Sequence, residues 1–564
     1  MADKEGLVLP VSERDTHNAL SDNSTAVKEP SIAESVWISS SMSKTREMLF
    51  VGTVCMAQFC TRTFCALSPS RLVTMLPSCH LAILPFSHSN MVTNLRLYTE
   101  AAYMGTLVLL RKIGRSFGVA DPAQLAWLVA GYSLTVGTFI LISGRLGDIF
   151  GYKTMLIVGF AWFSLWSLVS GLSVYSDFTL AVFSRVLQGI GPALCLPNAL
   201  AILGSAYPPG SHRKAMVFAC FGAVAPIGGV CGGVFGSLLA MAWWPWALWA
   251  MAIWLAVLAV AAYLIIPKPP QRKEEPRSLR AWIVALDAPA AVVGVTALIL
   301  FNFAWTQAPI SGWRTPTVIV PLILGLLLFA GFAYMELKMS EHPLLPFDAF
   351  KPDICFVLAA LVCGWATFGI WTLYLVQILE DVRGLSPVLT SVYFAPVVFA
   401  GAVAAFITGK LLGPLQVRPA LVMMMALTAF TIGIILTSFA PVHQIYWGQI
   451  FVSMLVMPFG MDMSFPAATL TLSNAVAKQH QGIGASLVNT VVNYGIALGV
   501  GIAGTVEVNV RGSSDSSDDR FDGFRSGLYT GIGLAGVGMA TCVVFLFKRH
   551  NVHQDAQAVN LCSH

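Results

Sequence analysis

Apolar runs of about 20 residues recur along most of this chain, broken by short polar or Pro- and Gly-containing stretches, and each run can cross about 30 Å of hydrocarbon as a helix. Few folds remain open to such a sequence. Inside a bilayer each backbone N–H and C=O must be satisfied within its own helix or in a closed barrel, and runs of this length suit helices. Only 11% of the 564 residues are charged, against about 25% in soluble domains, and mean hydropathy is +0.73. The chain reads as an all-α polytopic membrane protein.

Fourteen spans are expected: one near Met48, then 123–143, 154–174, 178–203, 215–241, 244–266, 283–304, 317–337, 354–378, 387–409, 418–440, 443–471, 483–506 and 526–547. With the amino terminus inside, the cytoplasmic loops hold Arg145, Lys153, Arg213, Lys214, Lys268, Arg272, Lys273 and Lys410. The opposite loops, with Arg111, Lys112, Arg115, Arg314 and Arg383, are poorer in basic residues. That asymmetry places both termini in the cytoplasm. The formal charge of +5 is spread over loops, so nucleic acid is not an expected partner, while membrane lipid is. Eleven cysteines are scattered without a C-x-x-C pair, and no metal-spaced Cys/His set or hydrolase motif occurs. Neither an enzyme, a metal nor a cofactor is expected.

The domain plan follows from these spans. Residues 1–46 read as a disordered cytoplasmic tail, 47–266 as a first six-helix bundle, 267–282 as a cytoplasmic linker, 283–337 as two additional helices, 338–353 as a cytoplasmic loop, 354–547 as a second six-helix bundle and 548–564 as a tail. One stretch fits badly: residues 63–99 bring Pro69, Pro77, Pro85 and polar residues into what should be the first helix. They read as an atypical insertion, such as a retained intron would leave, which would join Met48 to Thr61 directly to Glu100 to Leu110. A genuine long loop is the alternative.

Between the second and third spans lies Gly144-Arg145-Leu146-Gly147-Asp148-Ile149-Phe150-Gly151-Tyr152-Lys153, and Gly409 to Arg418 echoes it at an offset of 265 residues. This decapeptide resembles the signature loop of the major facilitator superfamily, and the order of motifs is similar to the fungal fourteen-span drug:proton antiporter family. The resemblance implies a major facilitator fold with 14 transmembrane helices (6+2+6) in two pseudo-symmetric bundles that open in alternation. It also implies gating by Gly144, Arg145, Asp148, Gly151 and Lys153.

Arg185-Val186-Leu187-Gln188-Gly189-Ile190-Gly191-Pro192 resembles the family's second motif. Its intramembrane arginine is costly, about 2.5–3.5 kcal/mol at a helix centre, and the resemblance implies proton coupling for Arg185. The fifth span, with Gly222, Pro226, Gly228, Gly229, Gly232 and Gly233, resembles the motif of the antiporter branches, whose fifth helix would pack on the tenth span here. Ala225 and Val230 depart from that pattern.

Asp462 is the carboxylate well inside the second half's spans, and a carboxyl there can alternate between charged and neutral forms as its access to water changes. A helix-kink role beside Gly460 and Pro466 is the alternative. Gln188, Asn489 and Asn493 are expected along a substrate path, and hydrogen bonding between helices would explain the asparagines equally. Asp287 opens the seventh span as a cap or a branch-specific motif. Together these readings imply a monomeric plasma-membrane carrier that exchanges a small molecule, such as a drug, toxin or secondary metabolite, for protons. The alternatives are a carrier of a small inorganic solute such as borate or ammonium, and a non-transporting receptor.

Overall fold

A computed structural model describes residues 88–206, 212–266, 286–340, 352–475, 481–511 and 517–562. Its helices are α1 (His88–Leu107), α2 (Pro122–Phe150), α3 (Tyr152–Leu172), α4 (Phe178–Gln188 and Ile190–Ala206, broken at Gly189), α5 (His212–Ala242) and α6 (Pro245–Ile265). Then come α7 (Ala288–Ser311), α8 (Pro316–Lys338), α9 (Pro352–Gln377), α10 (Pro387–Tyr393 and Ala395–Leu412), α11 (Pro419–Ser438), α12 (Gln449–Ala475), α13 (Gln481–Val510) and α14 (Ser517–Cys562). Thirteen of them, α2 to α14, are long and apolar enough to cross a membrane, and α1, packed along α5, completes the fourteen.

Sequence chemistry sets where these helices begin. Pro122, Pro245, Pro316, Pro352, Pro387 and Pro419 each open one, where the missing N–H costs nothing. Asp121 and Asp177 cap α2 and α4, accepting from Ala123 N at 3.1 Å and Leu180 N at 2.8 Å. Asp287 stands at the start of α7 in a left-handed conformation, φ 45°, and makes no side-chain cap. Its Oδ2 instead accepts from Ser340 Oγ, which ties the start of α7 to the end of α8.

Several expected boundaries move. Residues 48–61, the expected start of the first span, lie outside the described residues, as do 63–87. From His88 the chain is helical without interruption through Glu100 to Leu107. Arg96 and Glu100 lie one turn apart on this helix and pair with each other at 3.5 Å. At the other end α14 runs to Cys562, since no Gly or Pro follows Leu546 to stop it.

α1–α6 form one bundle and α9–α14 the other, and the two meet along α2 against α13 and α5 against α10. On the first seam Gly137 lies against Asn493 and the Tyr494 backbone, and Gly144 against Ser486. On the second, Gly233 faces Ser391 and Gly401 faces Pro226. The extra pair docks over the first seam: Tyr494 Oη donates to the Leu298 carbonyl at 3.1 Å, and Phe303 meets Trp127 with ring centroids 5.4 Å apart. α8 lies outermost, its Leu326, Leu327 and Tyr334 exposed as befits a lipid-facing helix.

The glycine stripe of α5 divides between two neighbours. Gly228, Gly232 and Gly236 meet α1 at Leu97, Ala101 and Gly105, whereas Gly233 and Pro226 meet α10. The tenth span is therefore the second partner of this face, and α1 the first. A methyl at Gly232 would strike the Ala101 backbone, while one at Gly229 meets nothing nearer than Met104 Cβ at 3.9 Å. We expect Gly232→Ala to lower stability by about 1–3 kcal/mol and Gly229→Ala to leave it unchanged or slightly raised. Thermal unfolding of the detergent-solubilised protein measures both, and equal midpoints would contradict this packing.

Candidate functional site

The decapeptide forms the turn between α2 and α3, which are separated by Gly151 alone at φ 89°. L side chains rarely adopt that conformation, and glycine permits it at no cost. Asp148 sits in the last turn of α2 and accepts from Tyr152 Oη at 2.6 Å. Lys153 leaves the turn altogether: its Nζ donates to the carbonyls of Tyr263, at 2.9 Å, and Ile266, capping the end of α6 as a cation near a helix C-terminus should. Arg145 is half-buried on α2, and Gly144 reaches the seam at Ser486. The echo in the second half does not, because space is open at Gly409. Asn198 of α4, which sequence reading did not single out, fills the hollow left by Gly147 and donates to the Ser143 carbonyl at 3.2 Å.

Arg185 is 1% exposed and fully engaged inside the first bundle. Its Nε donates to the Leu128 carbonyl at 3.0 Å, one terminal nitrogen to the Ala102 carbonyl at 3.2 Å and the other to Gln188 Oε1. The guanidinium also lies 4.6 Å from the centre of the Tyr132 ring, a favourable cation–π stack. Gln188 passes the network on, donating to Ser167 Oγ at 2.5 Å. Together these residues tie α1, α2, α3 and α4.

Asp462 lies elsewhere, on α12 at the α5–α10 seam. Gly401 permits its approach: a Cβ there would stand 2.9 Å from Asp462 Oδ2 and 3.1 Å from the Pro226 ring. That oxygen is buried with no hydrogen-bond partner among the described residues. The cation whose field reaches it is Arg96 of α1, whose guanidinium lies 5.9 Å from the Phe465 ring one turn along α12. Thus Asp462 is brought toward Arg96, which itself pairs with Glu100, and not toward Arg185.

Asn489 is buried and Asn493 half-buried on the α2–α13 seam, and Asn493 Nδ2 donates to the Asn489 carbonyl at 3.0 Å. Gln188 lies in the Arg185 network, apart from them. Of the glycines on α5, the surroundings of Gly222 lie outside the described side chains.

Asp462 is not the sole carboxylate within the second bundle's spans. Glu507 is 5% exposed and accepts from Tyr374 Oη at 2.9 Å; the expected boundary at residue 506 fell one turn short of Val510, where α13 ends. Glu380 and Asp381 lie in a π-helical turn, Ile378–Val382, that continues α9. Asp381, its side chain 2% exposed, pairs with Arg111 of the short helix Leu110–Ser116 after α1.

Two pseudo-symmetric six-helix bundles with charged groups facing their shared seam define a secondary-transporter fold. The chain belongs to the Major Facilitator Superfamily, whose sequence pattern matches residues 91–500. It is a multi-pass membrane transporter of a small-molecule substrate, like its relatives and unlike an enzyme. Over 454 residues it is 50% identical to the Low affinity ammonium transporter of Saccharomyces cerevisiae, covering 80% of this chain and 87% of that one. It is 40% identical over 462 residues to Efflux pump terG of Aspergillus terreus, covering 82% and 85%. To the multidrug transporter mdr3 of Aspergillus fumigatus it is 39% identical over 459 residues, covering 80% and 78%. The crystal structure of the peptide transporter POT in complex with sulfate aligns with TM-score 0.58 over 82% of this chain and 94% of that one, at 16% identity, a likeness of fold alone.

The two buried groups predict unequal effects on stability. Arg185→Met removes three buried charge-assisted hydrogen bonds and the cation–π stack and strands Gln188 Oε1, and we expect a loss of about 2–3 kcal/mol. Asp462→Asn removes no partner and should stay within about 1 kcal/mol of the parent. Thermal midpoints in detergent compare them directly, and equal losses would contradict the contrast between a fully bonded Arg185 and an Asp462 with an unpartnered oxygen.

Proposed function

We propose that this transporter exchanges protons for a small organic molecule by alternating access, with Asp462 as the proton carrier and Arg96 as its charged partner. One observation carries the reading: the Asp462 carboxyl is buried at a seam between the two halves, bracketed by Gly401 and Pro226, with no donor to Oδ2. A charged carboxylate in that position would cost several kcal/mol, whereas a neutral carboxyl costs far less. Proton binding therefore favours the closed seam. Losing the proton requires water, or a donor on Arg96, to reach the carboxyl, and that requires the α5–α10 contact to part. A group whose charge state favours one arrangement of the halves couples proton movement to their rocking.

Gly144, Arg145, Asp148, Gly151 and Lys153 serve in this reading as the gate at the end of α2, where the glycine contact with Ser486 opens and closes. The richer basic loops put this end, and both termini, in the cytoplasm of a plasma-membrane protein. The chain works as a monomer, since all of these groups come from one polypeptide.

The cargo is an exported drug, toxin or secondary metabolite, a reading supported by the two fungal relatives described as an efflux pump and a multidrug transporter. An inward proton supplies about 2.3 kcal/mol per 100 mV and about 1.4 kcal/mol per pH unit. One proton per neutral solute then sustains a gradient of about several hundredfold. A second reading, a compact solute such as ammonium or borate, is favoured by the relative described as a low affinity ammonium transporter. The non-transporting reading depended on a disrupted first helix, and α1 is continuous from His88.

Sealed vesicles containing the full chain, an imposed pH gradient, and a panel of amphiphilic dyes and small solutes test the proposal. Gradient-driven flux is expected to fall at least about tenfold in Asp462→Asn, and substantially in Arg96→Gln, while solute exchange without a gradient persists in Asp462→Asn. Undiminished gradient-driven flux in Asp462→Asn would refute the carrier role. Competition by bulky dyes supports the organic cargo, and its absence beside ammonium-driven competition supports the compact one.

A further inference from the structure

The two helices outside the bundles, α7 and α8, are held differently by the two halves. Toward the second bundle the contact is close. Gly501 of α13 lies against the Trp305 backbone, where a Cβ would stand 3.0 Å from the carbonyl oxygen, and Gly504 lies against the Pro309 ring, 3.3 Å away on the same measure. Tyr494 Oη of α13 donates to the Leu298 carbonyl at 3.1 Å. Tyr494, Gly501 and Gly504 thus meet Leu298, Trp305 and Pro309 in the same order and nearly the same spacing, so α7 and α13 run side by side for about 15 Å.

Toward α2 of the first bundle the contact is of another kind. Phe303 meets Trp127 ring to ring, tilted by 49°, and such pairs tolerate centroid separations of about 4.5–7 Å. Beside them a small cavity with room for a water-sized species lies among Pro122 and Ala126 of α2, Thr306 and Pro309 of α7, and Tyr374 and Glu507 of the second bundle. α8 follows α7 closely: a Cβ at Gly325 would stand 3.0 Å from the Phe301 nitrogen, and Gly294 admits the Phe332 ring.

We propose that α7 and α8 belong to the second bundle as a moving body and form a cover that slides over α2, keeping the α2–α13 seam shut to lipid while the halves rock. Close backbone packing resists separation in lipid, as does a hydrogen bond whose donor would find no water there. A ring contact yields instead to the small sliding by which packed helices shear. The sliding rests on the alternating-access reading above, and the unequal attachment does not.

Distances between pairs of nitroxide labels test this in the full-length protein in lipid nanodiscs. The labels are carried on ketone-bearing residues, which leaves the native cysteines in place, at Arg314 in the α7–α8 turn, Asn509 near the end of α13 and Thr179 at the start of α4, all exposed. Between acidic and alkaline pH the Thr179–Asn509 distance reports the rocking of the halves. Arg314–Thr179 should shift with it while Arg314–Asn509 holds. A shift in Arg314–Asn509, with Arg314–Thr179 constant or shifting as well, would overturn the cover and leave the rocking intact. No shift in Thr179–Asn509 would remove the rocking reading, and the sliding with it. The attachment is read without any movement: Gly501→Val, which would strike the Trp305 backbone, should broaden the Arg314–Asn509 distribution, and the milder Tyr494→Phe should act in the same direction. Trp127→Ala should leave that distribution narrow. Broadening by Trp127→Ala, or none in either α13 variant, would overturn the attachment.

Discussion

How closely α5 can lie against α1 on one side and α10 on the other governs this molecule. Water excluded from apolar surface does little to hold helices together in lipid, so packing depends on van der Waals contact and on small residues that let backbones approach. Gly228, Gly232 and Gly236 bring α5 onto α1, and Gly401 lets α10 close over the Pro226 ring. The same closeness brackets Asp462. A larger side chain at Gly401 would occupy the space of the carboxylate oxygen, so the seam's geometry and the acid's surroundings are one feature.

Two buried ionisable groups show how differently a membrane bundle can treat charge. Arg185 is surrounded by acceptors from α1 and α2, a glutamine from its own helix and the face of Tyr132. That network ties α1, α2, α3 and α4 of the first bundle to one another. Asp462 has one oxygen with no donor and a contact surface drawn from both halves. A carboxyl left short of partners at a seam between the halves is costly to charge while the seam is closed, and this contrast underlies the proposed role of Asp462.

The parts of the molecule that were legible in the sequence are those set by local pattern. Apolar runs gave the second to fourteenth spans, the decapeptide gave the tight α2–α3 turn at Gly151, and isolation within an apolar stretch marked Asp462. Arg96 and its pairing with Glu100 were missed because Arg96 falls in residues 63–99, whose prolines and polar residues lower hydropathy and read as an insertion. Their pairing with each other is local, but the approach of Arg96 to Asp462 joins residues hundreds of positions apart. Glu507 and Glu380 fell one and two residues past their expected span ends, where a boundary depends on neighbouring helices and not on hydropathy. For α5 the glycine stripe was plain, yet which of its faces meets α1 and which meets α10 is settled by the bundle.

Infrared difference spectroscopy of the protein in lipid, between acidic and alkaline pH, tests the central claim most directly. A carboxyl held neutral without a hydrogen bond absorbs at the high-frequency end of the protonated carboxyl range. The account predicts such a band at acidic pH, its loss as the medium becomes alkaline, and its absence in Asp462→Asn. A band that persists in Asp462→Asn, or no band in that region in the parent protein, would contradict the assignment of Asp462 as the proton-carrying group of the seam.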